Sequence, residues 1–182
     1  MRRALAAMLL VAAAAAATDV AAQPRVDPNA RDLLGYRLRP ETIAKLQQVM
    51  LALDGYQSPS PEGMRSDVAL ITVLAMTIPY GGTFNDTQMA ETIGALDRGH
   101  PELAGAIRQA GLTNRDYVLA WTTLLVAHPV AAAQRAGRSV TSDAPPETVA
   151  FIAQHWTDVD RLMHEMRDRI DLARQAGERR RP

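Results

Sequence analysis

The eighteen residues from Gly111 to His128 (GLTNRDYVLAWTTLLVAH) constrain the fold of this chain more than any other stretch. Gly111 is the residue type that closes a helix, because it reaches positive φ without a Cβ clash. Thr113, with the acid Asp116 three residues on, reads as an N-cap and its capping-box partner, Asp standing where Glu or Gln is usual. Tyr117, Trp121, Leu124 and His128 then recur at helical spacing, with Val118 and Leu125 beside them, and mark one apolar face. A helix stop, a helix start and an inward helical face in direct succession commit the middle of the chain to α structure.

The flanking sequence repeats this grammar. Residues 23–39 are polar and interrupted by Pro24 and Pro28, which predicts a loose lead-in. Pro40-Glu41 opens a helix with proline at its first position, where a missing N–H costs nothing. Ile43, Leu46, Val49, Met50 and Leu53 give its face, and Asp54-Gly55 its end. Residues 56–65 read as a loop. Ser66-Asp67 caps an apolar run from Val68 to Ile78 whose length favours a buried helix over a strand, and Pro79-Tyr80-Gly81-Gly82 stops it. Thr83 with Asp86 repeats the capping pattern ahead of Met89, Ile93 and Leu96. Residues 97–100 form a short connection, and Pro101 opens a helix with Leu103 and Ile107 inward. Pro129 is expected to kink or end the central helix near His128, with Ala131–Ala136 as a second small-residue helix. After a loop at 137–146, Val149, Ile152, Trp156, Val159, Met163, Met166 and Ile170 are spaced 3, 4, 3, 4, 3, 4, an a/d heptad seam. Thr157 with Asp160 offers a restart inside it, so residues 147–175 read as one helix or two. On the outer face Arg161, Glu165, Arg167, Arg169 and Asp171 form weak i,i+4 pairs. No strand alternation, internal repeat or second core is visible. The reading is a single all-α bundle of about six helices over residues 40–175, followed by a basic tail at 176–182.

The first residues set the compartment. Met1-Arg2-Arg3 is a basic start, Ala4–Ala17 is an unbroken apolar run, and Val20-Ala21-Ala22 places small residues at −3 and −1. That is the layout of a secretory signal peptide spanning 1–22, cleaved after Ala22, which predicts a periplasmic or secreted protein. The run is short for a membrane span, so no stable span is expected once the signal is removed. With no cysteine in the chain, lipid attachment through Cys, disulfides, thiolate metal sites and a Cys nucleophile are all excluded. Loss of Arg2, Arg3 and Asp19 leaves a mature chain of net charge −1, without the electrostatic footprint of a nucleic-acid binder.

Candidate chemistry is sparse. His128 shares the face of Tyr117, Trp121 and Leu124 and reads first as a satisfied core or pocket histidine. His155 and His164 lie nine residues apart, on opposite sides of a continuous helix, and would not chelate together. Asp160, His164 and Asp168 share a face at i, i+4, i+8 and could hold a divalent ion, although the arginines beside them favour a solvated, ion-paired surface. His100 sits before Pro101 in a turn. Met163 and Met166 lie on the seam and are core residues before they are haem ligands. No HExxH, GxSxG, P-loop or GxGxxG pattern occurs. Arg115-Asp116-Tyr117 is the most prominent polar group, with a structural role preferred. The residues available for a pocket or an interaction are Arg115, Tyr117, Trp121, His128 and Trp156.

Gly111-Leu112-Thr113-Asn114-Arg115-Asp116-Tyr117 and Pro146-Glu147-Thr148-Val149-Ala150-Phe151-Ile152 together resemble a group of small exported bacterial proteins of unknown function. The likeness covers roughly residues 36–170, and Thr148 stands where that group tends to have Asn. It implies an exported helical domain and carries over no activity and no site residues. The functional expectation is a non-enzymatic binding or interaction module for a partner protein or a small apolar ligand. A homodimer through the seam at 149–170 is a further expectation. No cofactor is expected. The alternative is a haem- or metal-binding bundle using His128, with His155 or a methionine.

Overall fold

The computed structural model describes residues 25–27, 30–53 and 83–178. The signal segment, the loop at 56–65, the apolar run at 68–78 with its flanking signals, and residues 179–182 lie outside the described residues. Among those described, the order is β1 (Arg25–Val26), α1 (Arg31–Gly35), α2 (Pro40–Ala52), β2 (Thr83–Phe84), α3 (Asp86–Gly99), α4 (Pro101–Gln109), α5 (Asn114–Arg135), α6 (Pro146–Gln154) and α7 (Trp156–Glu178). The architecture is all-α, as the sequence predicts. The only strand pairing among these residues is a two-residue parallel contact, Arg25 beside Thr83 and Val26 beside Phe84.

Helix α5 is the centre. It packs against α1, α3, α4 and α6, while α2 bridges α4 and α7. Tyr117, Val118, Ala120, Trp121, Leu124 and Ala127 are each at most 1% exposed, and the opposite side is closed by Leu119, Val126 and Val130. The helix is thus buried nearly all round and not on one face alone, which is how a helix with little amphipathic contrast is accommodated. Its N-terminus carries the predicted capping box: the Asp116 backbone N–H donates to Thr113 Oγ1 at 3.0 Å, and the same hydroxyl donates to Asp116 Oδ2 at 2.6 Å. Gly111, at φ +72°, closes α4 in a Schellman arrangement, with Gly111 N–H on the Arg108 carbonyl and Leu112 N–H on that of Ile107.

Several expectations are corrected. Pro129 does not end the central helix, which runs unbroken to Arg135. Pro129 is exposed, and Leu125, whose carbonyl loses its i+4 donor, lies half-buried on the same side, where water can take the bond. Burial on the other sides holds the helix through the proline. The lead-in is not loose: Val26, Ala30, Leu33 and Leu38 are core residues and α1 forms within it. Thr83 belongs to β2 and α3 starts at Asp86, so Asn85, not Thr83, stands immediately before that helix. Residues 97–99 complete α3, leaving His100 alone between two helices. Its φ of −135° and ψ of 62° fit the restriction that a following proline imposes.

The seam at 149–170 belongs to two helices, separated at His155. Val149, Ile152, Val159, Met163 and Met166 are all buried inside this chain, with Trp156 half-buried against the same core. The heptad pattern therefore fills this domain's own interior, and the break at His155 changes its course without turning it outward. The side chain of Ile170 lies outside the described residues.

Candidate functional site

The sequence-nominated residues fall into three places. The first is the interior of α5, where Tyr117 and Trp121 form an edge-to-face pair with ring centroids 6.2 Å apart and planes at 77°. Both rings are buried, and Trp121 Nε1 has no hydrogen-bond partner in the structure. This pair belongs to the core.

The second place is the N-terminal end of α5. Arg115 is exposed and forms an ion pair with Asp32 of α1, which together with a hydrogen bond raises the guanidinium's already high pKa. Arg37 reaches Glu147, in the first turn of α6, at 2.8 Å. Lys45, the only lysine in the chain, donates to the Gly111 carbonyl at 2.9 Å. Tyr36 lies half-buried nearby, its hydroxyl pushed up by burial and then by the Asp116 carboxylate. The two motifs at 111–117 and 146–152 thus meet the segment 31–45. Arg115 is paired within the chain, with Asp32.

The third place is the contact between α5 and α7. His128 is buried, 3% exposed, and its Nε2 lies 3.0 Å from Asp160 Oδ1. An ionised carboxylate cannot donate, so Nε2 carries the proton. The imidazole stacks on Trp156 with centroids 5.1 Å apart and planes at 12°, and the Arg135 guanidinium sits 4.8 Å from the same indole. His128 and Arg135 are seven residues apart on one helix, about 10.5 Å of rise. Both the imidazole and the guanidinium thus lie against the Trp156 indole. Asp160 is 29% exposed and is shared: His164, on the surface, donates from Nδ1 to the Asp160 backbone carbonyl at 2.8 Å and lies 3.6 Å from Oδ1.

The expectations for these residues sort accordingly. His128 is a satisfied buried histidine. Asp160 leaves the outer row it was expected to share with His164 and Asp168 and turns toward His128. Among the described residues no group of three His, Cys, Asp or Glu is arranged to hold a metal ion. His155 lies on the axis change between α6 and α7 and not on a continuous helix; its ring rests on Phe151 at 4.5 Å. Arg161 reaches back to Asp158 at 3.0 Å, an i,i+3 pair in place of the i,i+4 pair with Glu165.

The sequence reading missed the His128–Asp160 bond and the place of Arg135. A signal was available: Asp160 follows Val159 and stands four residues after Trp156, at the edge of the apolar seam, where a carboxylate can reach a buried donor on a facing helix.

With His128 covered by Trp156 and bonded to Asp160, the buried imidazole ties two helices together, while Asp160 and His164 are the groups of this site that reach the surface. A shallow cleft of about 130 Å³ lies elsewhere among the described residues, between α2 and the α6–α7 junction, lined by Pro40, Ile43, Ala44, Gln47, His155 and Asp158. Leu51, 69% exposed, continues the same face of α2 one turn beyond Gln47. No described helix is long and apolar enough to cross a membrane. Comparison with protein-family models, with curated proteins and with solved structures finds no match to this chain.

Proposed function

We propose that this chain is an exported, non-enzymatic helical module that binds a partner protein. The observation that carries the reading is the face of α2 on which Ala44 and Gln47 line the cleft at the α6–α7 junction and the exposed Leu51 follows one turn beyond Gln47. The cleft is well below the roughly 300–1,000 Å³ of sites that enclose a small molecule. Its apolar and polar groups are mixed, as protein–protein contacts are. A partner's side chain suits this geometry better than an enclosed apolar ligand does. Export rests on the signal-like residues 1–22.

Native mass spectrometry of the protein purified from its own host tests this directly. The expected mass begins at Gln23, and a second protein is retained that a Leu51→Glu variant loses. A retained haem, metal ion or apolar small molecule in place of a protein overturns the reading in favour of a ligand-binding bundle.

A further inference from the structure

We propose that the partner's anchor in the cleft between α2 and α7 is a lysine or arginine side chain, its stem against Pro40, Ile43 and Ala44 and its charged head on Asp158, with an apolar partner residue beside it on Leu51. This anchor presupposes that the cleft binds a protein, as read above, and states what that protein must present there.

The two walls of the cleft differ in kind. On α2, Pro40, Ile43 and Ala44 offer only carbon from their side chains. At the start of α7, Asp158 brings a carboxylate, and no lysine or arginine is among the described residues lining the cleft. The cations nearest in sequence are placed otherwise. Lys45 donates to the Gly111 carbonyl, Arg39 stands before α2, and Arg161 lies on Asp158 Oδ1 at 3.0 Å. Both members of that last pair are more than half exposed, so it is weak and open to exchange. The second carboxylate oxygen, Oδ2, has no hydrogen bond among the described residues. Glu41, exposed and three residues before Ala44, adds a second carboxylate on that side of α2.

The lining discriminates among partner side chains. An acidic one would set like charges together at Asp158. A purely apolar one would take the carboxylate out of water with no bond to replace hydration. A neutral amide or hydroxyl would bond Oδ2, but more weakly than a charged donor. Lysine or arginine satisfies both walls: the methylene stem covers the carbon of α2 and the head pairs with the carboxylate. Leu51 follows Ala44 by seven residues, about 10.5 Å along α2. A partner engages both points when an apolar side chain stands about 10 Å from its basic one, as residues i and i+7 of a helix do.

Selection from a displayed library of random peptides of about twelve residues, long enough to span i to i+7 of a helix, against the full chain at pH 7.5 reads the anchor directly. Selected peptides should share a lysine or arginine, and its replacement by norleucine should weaken binding about tenfold, the loss of one hydrogen bond to a charged group. Asp158→Asn should cost the same peptides about tenfold, and the two changes together no more than either alone. Arg161→Ala, which frees Oδ1, should not weaken them. Should Asp158→Asn fold poorly, the norleucine peptides on the native chain decide. Peptides that Leu51→Glu weakens, but that bind equally well with norleucine or to Asp158→Asn, overturn the basic anchor and leave the partner-binding module standing. A library yielding no peptide that Leu51→Glu weakens overturns the module, and the anchor with it.

Discussion

Two glycines six residues apart should respond to alanine in opposite directions. Gly105 lies in the interior of α4 with ordinary helical φ, and a Cβ built there meets nothing within 4 Å. Alanine should gain the helix-propensity difference, about 0.8–1.0 kcal/mol. Gly111 sits at φ +72°, and its Cβ would lie 3.5 Å from Lys45 Nζ and 3.8 Å from Cε, ordinary contacts that add no clash. What remains is the cost of a left-handed conformation, about 1–2 kcal/mol, reduced by about 0.4–1 kcal/mol because alanine also restricts the unfolded chain. Gly111→Ala should therefore destabilise by about 1 kcal/mol, and the two variants should differ by about 2 kcal/mol. Urea unfolding with a common m-value reads this as midpoints on either side of the parent, and thermal scans as shifts of about 2–4 °C in each direction. Shifts of the same sign, or a neutral Gly111→Ala, would refute the assignment of Gly111 as an obligatory left-handed cap.

Thr113→Val, which keeps the shape of the cap but removes both hydroxyl bonds to Asp116, should cost about 1 kcal/mol in urea unfolding, and a neutral result would show that α5 does not depend on its capping box. Ile152→Ala empties a fully buried position on the α6 seam and should cost about 2–5 kcal/mol, whereas Leu51→Ser, on the exposed face of α2, should change stability by less than about 0.5 kcal/mol. Arg115→Ala breaks an exposed ion pair and should leave the urea midpoint unmoved at high and low salt alike. A salt-dependent loss there would show that the pair with α1 contributes to stability.

Helix identity was legible wherever a local signal sufficed. The Pro40 and Pro101 starts, the Gly111 stop and the Thr113–Asp116 cap all stand where residue chemistry puts them. Two kinds of feature were not legible. Pro129 and the lead-in are decided by tertiary burial, which overrides a local breaker and orders a segment that is polar on average. The His128–Asp160 bond joins residues on separate helices, and no spacing rule links a histidine at 128 to one of the many acids of α7. The seam at 149–170 was read as apolar, with one helix and two both left open, and the structure gives two. A heptad pattern specifies which side is buried, and it is silent on whether the axis changes course at His155.

The ties on the N-terminal segment have a consequence for the order of assembly. Beyond its own local bonds, the segment 25–38 is tied down by sequence made later: Arg25 and Val26 by 83–84, Asp32 by Arg115, and Arg37 by Glu147. The earliest part of the domain to be synthesised is therefore among the last that can dock. Helix α1, which carries the buried Leu33, packs on α3 and α5, both made later. Sequence-distant closures of this kind slow folding relative to a bundle of neighbouring hairpins, because the entropy of closing the loop is lost before its contacts form. A chain emerging N-terminus first thus waits for residues 83–147 before these ties can close.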